Sequence, residues 1–398
     1  MTEETDDAVV ENLGNFDHFA PETVQRPWPL WEKWRSECPV AHSDAYGGFY
    51  FVTKYEDIRQ VLIDTETYTS SDSVTIPKFP MKLIPLNIDP PEQRQYRRIV
   101  NPGLSPQRLV EHEPWIREIA RGLIDEIAAK ETFDFAEEYA RPFPRTVIYR
   151  LLGMDSPELA EVAQWTQMIV DNAHDAPEVM EANEKLGAFL ANFVAERRAM
   201  EPKDDLTSML IDGSLSDRPL NDEELLQYIS LLIFGGLHTT TSALAGMMVW
   251  LAQHPDEREQ IRNDRSLIPT AVDEFLRYVT PTVYIARTIT QETELGGCPL
   301  GPGDRVLLGL GAANRDPAKF DRPDEVVLDR SPNQHFVFSA GPHRCVGSHL
   351  AKLEVRITLE EVLDRFQEFT VDDPSRLFYT GGEVRGLFVA PIAVQATR

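Results

Sequence analysis

Cys345 has the surroundings that most plainly promise chemistry, in the run Phe338-Ser339-Ala340-Gly341-Pro342-His343-Arg344-Cys345-Val346-Gly347. Beyond Gly347 the apolar positions Leu350, Ala351, Leu353, Val355 and Ile357 suit a helix, and the Gly, Pro and His before it make a turn. The cysteine therefore stands where a loop enters a helix. Unpaired N–H groups and the positive end of the helix dipole favour a thiolate there, and the basic neighbours His343 and Arg344 add to it. A thiolate can bind iron. A lone cysteine can also be an inert, small apolar residue; the glycines, the aromatic and the basic neighbours favour the first reading.

A second segment with chemical potential is Gly235-Gly236-Leu237-His238-Thr239-Thr240-Thr241-Ser242. It interrupts an apolar run, Leu225, Leu226, Ile229, Leu231, Leu232, Ile233 and Phe234, that would cover nearly every face of a helix. Asn221 can cap that helix and Glu224 can close a capping box. From Asn221 to His254 it would span roughly 50 Å at about 1.5 Å per residue. The glycine pair costs about 1 kcal/mol apiece relative to alanine, and the hydroxyls can bond carbonyls one turn back and loosen the ladder. Either a packing contact requires glycine, or the helix is widened so that a flat ligand meets its backbone and a threonine hydroxyl.

The elements that position these segments are mostly helical. Gly47-Gly48 followed by Phe49 to Thr53 reads as a short hairpin strand, and Lys54 to Ile63 as a helix. Asp89-Pro90-Pro91-Glu92 reads as another helix start with Asp89 as its cap. Pro106 to Met200 reads as several packed helices. Strand signals return at Tyr284-Ile285-Ala286-Arg287, at Arg305 to Leu308, and from Leu387 to Val394. A parallel α/β architecture is disfavoured. Residues 1–28 read as a mobile tail and 29–398 as one domain.

The chain has 398 residues and a formal net charge of −26, which would repel a phosphate backbone and disfavours nucleic acid as a partner. The start, Met1 to Glu11, is acidic and reads as neither signal peptide nor membrane anchor. The longest apolar stretch, Tyr228 to Leu237, is about half a membrane span. A cytoplasmic location is expected. Cys38, Cys298 and Cys345 are too few and too separated for a disulfide framework or a zinc site. Against the acidic background, Arg94, Arg97, Arg98 and Arg108 stand out in a stretch without a carboxylate.

Phe338-x-x-Gly341-x-His343-x-Cys345-x-Gly347 resembles the heme-binding signature of cytochrome P450. The resemblance implies a mainly α fold with small β-sheets, a triangular prism with a long central helix over the heme. Cys345 would be the axial ligand of a non-covalent heme b, since Cys-x-x-Cys-His is missing. Phe338 would shield the sulfur, Gly341 would let the loop pass near the porphyrin, and Gly347 would bring its N–H toward the sulfur. Glu274-Phe275-Leu276-Arg277 resembles the family's Glu-x-x-Arg motif, with Arg330 as third member of its ion network. Arg287 and His343 resemble the partners of one heme propionate. Asp89 to Arg97 resembles bacterial camphor-type enzymes, which implies Gln93 and Arg97 for the other propionate.

The same resemblance makes Gly235, Gly236 and Thr239 the oxygen-activation segment of a monooxygenase. By this resemblance it would insert one atom of O2 into a small hydrophobic substrate such as a terpenoid. His238 stands where the family commonly has an acid; proton relay, substrate contact and a structural role are all open to it, and it is expected, as a catalytic residue, to assist proton delivery. Met81 takes the place of the camphor enzymes' substrate-anchoring tyrosine. Leu83, Ile84, Leu86, Phe234, Leu237, Val283, Ile285 and Val384 would line the pocket. No flavin, iron–sulfur or nicotinamide motif is present, so electrons would come from a 2Fe-2S ferredoxin and its NADH-dependent reductase. The ferredoxin would dock on Arg94, Arg98, Arg108 and Arg344 of a monomeric enzyme. Alternatives are a peroxide-using or rearranging heme-thiolate enzyme, a non-catalytic heme sensor, and a cysteine hydrolase, which would leave the arginines unexplained.

Overall fold

The computed structural model describes residues 16–79, 82–171 and 176–394. In chain order its helices are α1 Pro21–Gln25, α2 Trp28–Glu37, α3 Tyr55–Ile63, α4 Glu92–Val100, α5 Pro106–Ala128, α6 Pro142–Leu151 and α7 Leu159–Asp171. There follow α8 Pro177–Arg198, α9 Leu206–Asp212, α10 Asp222–Gln253, α11 Pro255–Asn263, α12 Ile268–Val279, α13 Leu310–Ala313 and α14 Ser348–Arg365. A π-helical turn, Ala136–Ala140, precedes α6. The strands are β1 Val40–Ser43, β2 Phe49–Val52, β3 Tyr68–Thr69, β4 Thr132–Asp134, β5 Tyr284–Ile289, β6 Thr293–Leu295, β7 Cys298–Leu300, β8 Arg305–Gly309, β9 Phe369–Val371, β10 Phe378–Thr380, β11 Gly386–Val389 and β12 Pro391–Val394. The largest sheet has the order β1-β2-β8-β5-β3. Only its β2–β8 pair is parallel.

The long helix α10 begins as its sequence dictates. The Asn221 side chain accepts from the Glu224 N–H, and the Glu224 carboxylate accepts from the Asn221 N–H, so both arms of the capping box are present. α10 is the one described helix long and apolar enough to cross a membrane, but most of it is buried inside the protein. It packs against α6, α8, α12, α14 and the π turn, which is why hydrophobic residues occupy nearly its whole circumference.

The weakening expected at Gly235-Gly236 does not break the helix: α10 is continuous from Asp222 to Gln253. Thr239 Oγ1 donates to Gly235 O at 2.9 Å and Ser242 Oγ to His238 O at 2.7 Å, while Thr241 Oγ1 turns outward to Ala140 O at 2.9 Å. The back-bonded hydroxyls satisfy carbonyls without displacing the ladder, because packing on several sides holds it.

Three other expectations need correction. The tail does not extend to residue 28, since Phe16, His18 and Val24 are already buried and Phe16 packs edge-on against Trp34. Asp89 does not cap α4; it accepts from the backbone and hydroxyl of Ser70 and from Thr69, tying the start of α4 to β3. The stretch from Leu387 to Val394 is two strands, β11 Gly386–Val389 and β12 Pro391–Val394, in different sheets, because Pro391 lacks the N–H to continue one ladder.

The short helix α4 joins three parts of the molecule. Tyr96 donates its hydroxyl to Glu224 at 2.7 Å, and Tyr228 of α10 donates to the Tyr96 carbonyl at 3.1 Å. Gln93 donates to the Pro342 carbonyl at 2.8 Å, which fastens α4 to the loop that carries Cys345.

Candidate functional site

A cavity of about 300 Å³ lies between α10 and the loop leading into α14. Cys345 is the one cysteine on its wall; Cys38 and Cys298 are elsewhere and half-buried. Surrounding protein encloses Cys345, yet its sulfur stays accessible because it faces this cavity. The Cys345 N–H donates to Phe338 O at 2.9 Å, closing the loop on itself. Gly341 has φ +67°, and a Cβ there would lie 2.6 Å from the Leu62 carbonyl, so only glycine lets the loop pass the end of α3. Gly347 approaches the sulfur closely and its N–H bonds it.

The expected thiolate is not favoured by the protein alone. Burial pushes the Cys345 thiol up, against the smaller downward pull of the Gly347 N–H, Arg97 and Arg344. His343 contributes no positive charge, because burial and then Arg287 hold its pKa at about 4. A coordinating metal ion would favour the thiolate there, as it does for ligating thiols in general.

The groups around the cavity fit a flat, largely apolar ligand with anionic arms. Leu232, Gly236 and Ala243 face it from α10, and Phe338, Leu350 and Ala351 from the loop and α14. Arg97 lines the cavity and has no carboxylate partner among the described residues. Arg287 is 1% exposed; its Nη1 donates to Ala286 O at 2.7 Å and its Nη2 has no partner. Burial lowers the Arg287 pKa to about 10, against the weaker upward pull of Asp89, which makes no ion pair with it. The orphaned nitrogen and the unpaired Arg97 suit two carboxylates.

The profile of the family described as Cytochrome P450 matches residues 146–380. A putative cytochrome P450 126 from Mycobacterium tuberculosis is 33% identical over 391 residues, 92% of each chain. Mycinamicin IV hydroxylase/epoxidase from Micromonospora griseorubida is 35% identical over 325 residues, 79% of this chain and 81% of the relative. The structure of cytochrome P450 CYP109Q5 from Chondromyces apiculatus superposes with a TM-score of 0.87 at 28% identity, covering 96% of this chain and 99% of the other. The chain belongs to the cytochrome P450 family. Its cofactor is therefore heme with an axial cysteine thiolate, and the cavity described above fits that group.

Within this P450 the site residues expected from sequence divide clearly. Gly235, Gly236, Thr239, Gln93, Arg97, Phe338, His343, Cys345 and Gly347 all line the cavity. Gln93 spends an amide N–H on Pro342, and His343 Nε2 is 3.1 Å from Ser70 Oγ. Both therefore shape the loop as well as the cavity. Arg287 is near enough to act on His343. Removing it by Arg287→Leu should leave the heme-free protein as stable or more so, because an unpaired buried charge is lost. Heme transfer to an acceptor globin should become about tenfold faster. Equal transfer rates would exclude Arg287 as a heme contact.

His238 is the main correction. It lies on the other side of α10 from Thr239, facing a hollow of about 20 Å³ beside Arg141, Arg145 and Phe388, with space for about one water. Burial, then Arg141, lowers its pKa to about 4. It does not line the heme cavity, and its ring carries no positive charge at neutrality. On a helix, successive residues point about 100° apart, so 235, 236, 239, 240 and 243 share a face that 238 leaves.

The same periodicity corrects the substrate wall. Leu86 and Ile285 line the cavity; Leu83, Ile84, Phe234, Leu237, Val283 and Val384 do not. Ile84 and Leu237 belong to the main core and Val283 to an aromatic cluster with Trp31 and Tyr284. Val384 makes an isolated bridge with Thr282. Met81 lies outside the described residues. Among the wall residues missed, Leu231, Leu232, Thr240 and Ala243 follow from the i, i+4, i+8 spacing around the glycine pair. Ile148 and Thr282 had no such signal.

Glu274, Arg277 and Arg330 come together in a buried ion network. Arg277 Nε and Nη2 donate to the two Glu274 oxygens at 2.8 Å, and Arg330 Nε reaches both at 3.0 Å. Asn333 Nδ2 and the Val327 N–H complete the carboxylate's partners. On the outer face, Arg94, Arg98 and Arg344 are exposed. Arg108 is engaged by Glu111 and Asp204, so its charge is neutralised and it leaves the expected docking patch.

Proposed function

We propose that this P450 is a monooxygenase that inserts one atom of O2 into a small, uncharged hydrophobic substrate, acting as a cytoplasmic monomer. The carrying observation is a sole cavity-facing cysteine, Cys345, set opposite a continuous helix that presents the Thr239 hydroxyl and a glycine pair. Heme bound there supplies the activation of O2. Cys345 would ligate the iron, Arg97, Arg287 and His343 would hold the propionates, and Thr239 would hold a proton donor on the oxygen face. Pro85, Leu86, Leu231 and Ile285 give the substrate space an apolar wall, which favours a neutral hydrocarbon-rich molecule such as a terpenoid. The mycinamicin IV relative supports hydroxylation or epoxidation as the reaction.

Retention of Thr239 on the cavity wall supports O2 over peroxide as the oxidant. The test is a reduced, carbon monoxide-bound spectrum of the thiolate type together with substrate-dependent, matched consumption of O2 and NADH. A thiolate spectrum with turnover on peroxide alone would move the protein to the peroxide-using reading.

Electrons would reach the cysteine side from a 2Fe-2S ferredoxin served by an NADH-dependent reductase. Lys319 adjoins Arg344 around a surface hollow beside the ligand loop, where Arg59 is paired with Glu56, and with Arg94 and Arg98 these two offer positive charge on an otherwise acidic molecule. Arg98→Glu should slow reduction by an acidic ferredoxin about tenfold at low salt, with the difference fading as salt rises. A salt-independent, unchanged rate would exclude this face.

A further inference from the structure

The hydroxyls around the small hollow on the outer side of α10 are already bonded, whereas the guanidinium groups there are not fully used. Thr166 Oγ1 donates to Val162 O at 2.9 Å, Thr241 Oγ1 to Ala140 O at 2.9 Å and Ser242 Oγ to His238 O at 2.7 Å. Arg141, just before α6, gives Nη1 to Glu137 at 2.9 Å and lies 4.5 Å from the centre of the Phe388 ring. Its Nε is buried and has no partner. Arg145, one turn later on α6, is half-buried on the same wall and has no carboxylate partner among the described residues.

Among the described residues no carboxylate lines the hollow, and α7 and β11 bring only uncharged side chains to it. His238 closes the α10 side as a neutral ring. The charges on the wall are therefore two positive ones, on Arg141 and Arg145. Two guanidinium groups around one enclosed space repel each other, and a water molecule between them leaves both charges uncompensated. A bound anion would cancel the repulsion and accept the idle N–H groups in charge-assisted hydrogen bonds.

We infer that this hollow is a binding site for one small monovalent anion of the chloride or bromide class, held between Arg141 and Arg145 with the His238 ring against it. Size sets the class. The space suits one water-sized body, and a halide is only slightly larger than water, whereas sulfate and phosphate are too bulky. The site stands apart from the heme cavity, on the opposite side of α10, and needs no assumption about the reaction. It also gives the histidine at position 238 and the two arginines a shared role, as the wall of an anion site.

The test uses the reduced, carbon monoxide-bound protein at constant ionic strength, with sodium gluconate as the balancing salt. The chloride nuclear resonance should broaden saturably in its presence, and bromide, but not sulfate, should reverse the broadening. Replacing gluconate by saturating chloride should raise the thermal midpoint by about 2 °C. Arg145→Gln should weaken chloride binding about tenfold and leave the carbon monoxide spectrum unchanged, while Arg145→Lys should keep most of the binding. His238→Phe fills the hollow and should abolish it. A chloride resonance that never broadens saturably overturns the inference. So does saturable broadening that Arg145→Gln leaves at full strength or, if that variant fails to fold, that persists in His238→Phe.

Discussion

Serine at position 345 is expected to leave a folded protein that has lost its oxygen chemistry. Cys345 faces a cavity and contributes little to the core, so the heme-free Cys345→Ser chain should match the wild type in stability to within about 1 kcal/mol. A hydroxyl in place of the sulfur cannot donate electron density to iron as a thiolate does. Product formation should fall about a thousandfold, corresponding to roughly 4 kcal/mol of lost transition-state stabilisation. The reduced, carbon monoxide-bound spectrum should lose its thiolate character. Cys38→Ser and Cys298→Ser should change neither measurement. A thiolate-type spectrum that survives in Cys345→Ser would show that the iron is held elsewhere.

Disruption of the Glu274 network should be the most damaging change outside the cavity. Arg277 and Glu274 are both fully buried, and all five guanidinium N–H groups of Arg277 are used. Two go to Glu274, and the others go to the carbonyls of Asn314, Pro323 and Glu325 at 2.7–2.8 Å. Asn314 Oδ1 in turn accepts the Phe336 N–H at 2.7 Å, two residues before Phe338. The network thus supports the chain entering the ligand loop. Glu274→Ala strands a buried guanidinium and should cost about 3–5 kcal/mol, a large share of a total stability of roughly 5–15 kcal/mol. Arg277→Lys, with three donors for five acceptor contacts, should be nearly as harmful. Denaturant midpoints and the yield of heme-loaded protein measure both; a midpoint unchanged in Arg277→Lys would mean the network is not what holds this region.

How far the sequence could be read depended on the range of the forces involved. The capping box at Asn221 and Glu224, the length of α10 and the turn around Gly341 follow from neighbours within a few residues, and they were legible. The ligand loop was legible because Cys345, His343 and the glycines lie in one short run. The direction of a side chain around a crowded helix was less so: apolar residues cover every face of α10, so hydrophobicity did not show that Leu237 and His238 face away, and the spacing from the glycine pair was the one mark that Thr240 and Ala243 face in. The ionisation of His343 and Cys345 was misjudged because the helix dipole and nearby arginines can be read from sequence, whereas the desolvation that outweighs them belongs to the assembled protein. Arg108 shows the same limit, since its partner Asp204 comes from a distant part of the chain.

The bonds made by α4 bear on how the protein is put together. Through Gln93 it grips the segment that presents the sulfur, and through Tyr96 it grips the first turn of the longest helix. Arg97, between those two grips, faces the cavity. The floor that receives the prosthetic group and the beam that roofs the substrate chamber are therefore clasped by the same nine residues, so assembly of either one prepares the other.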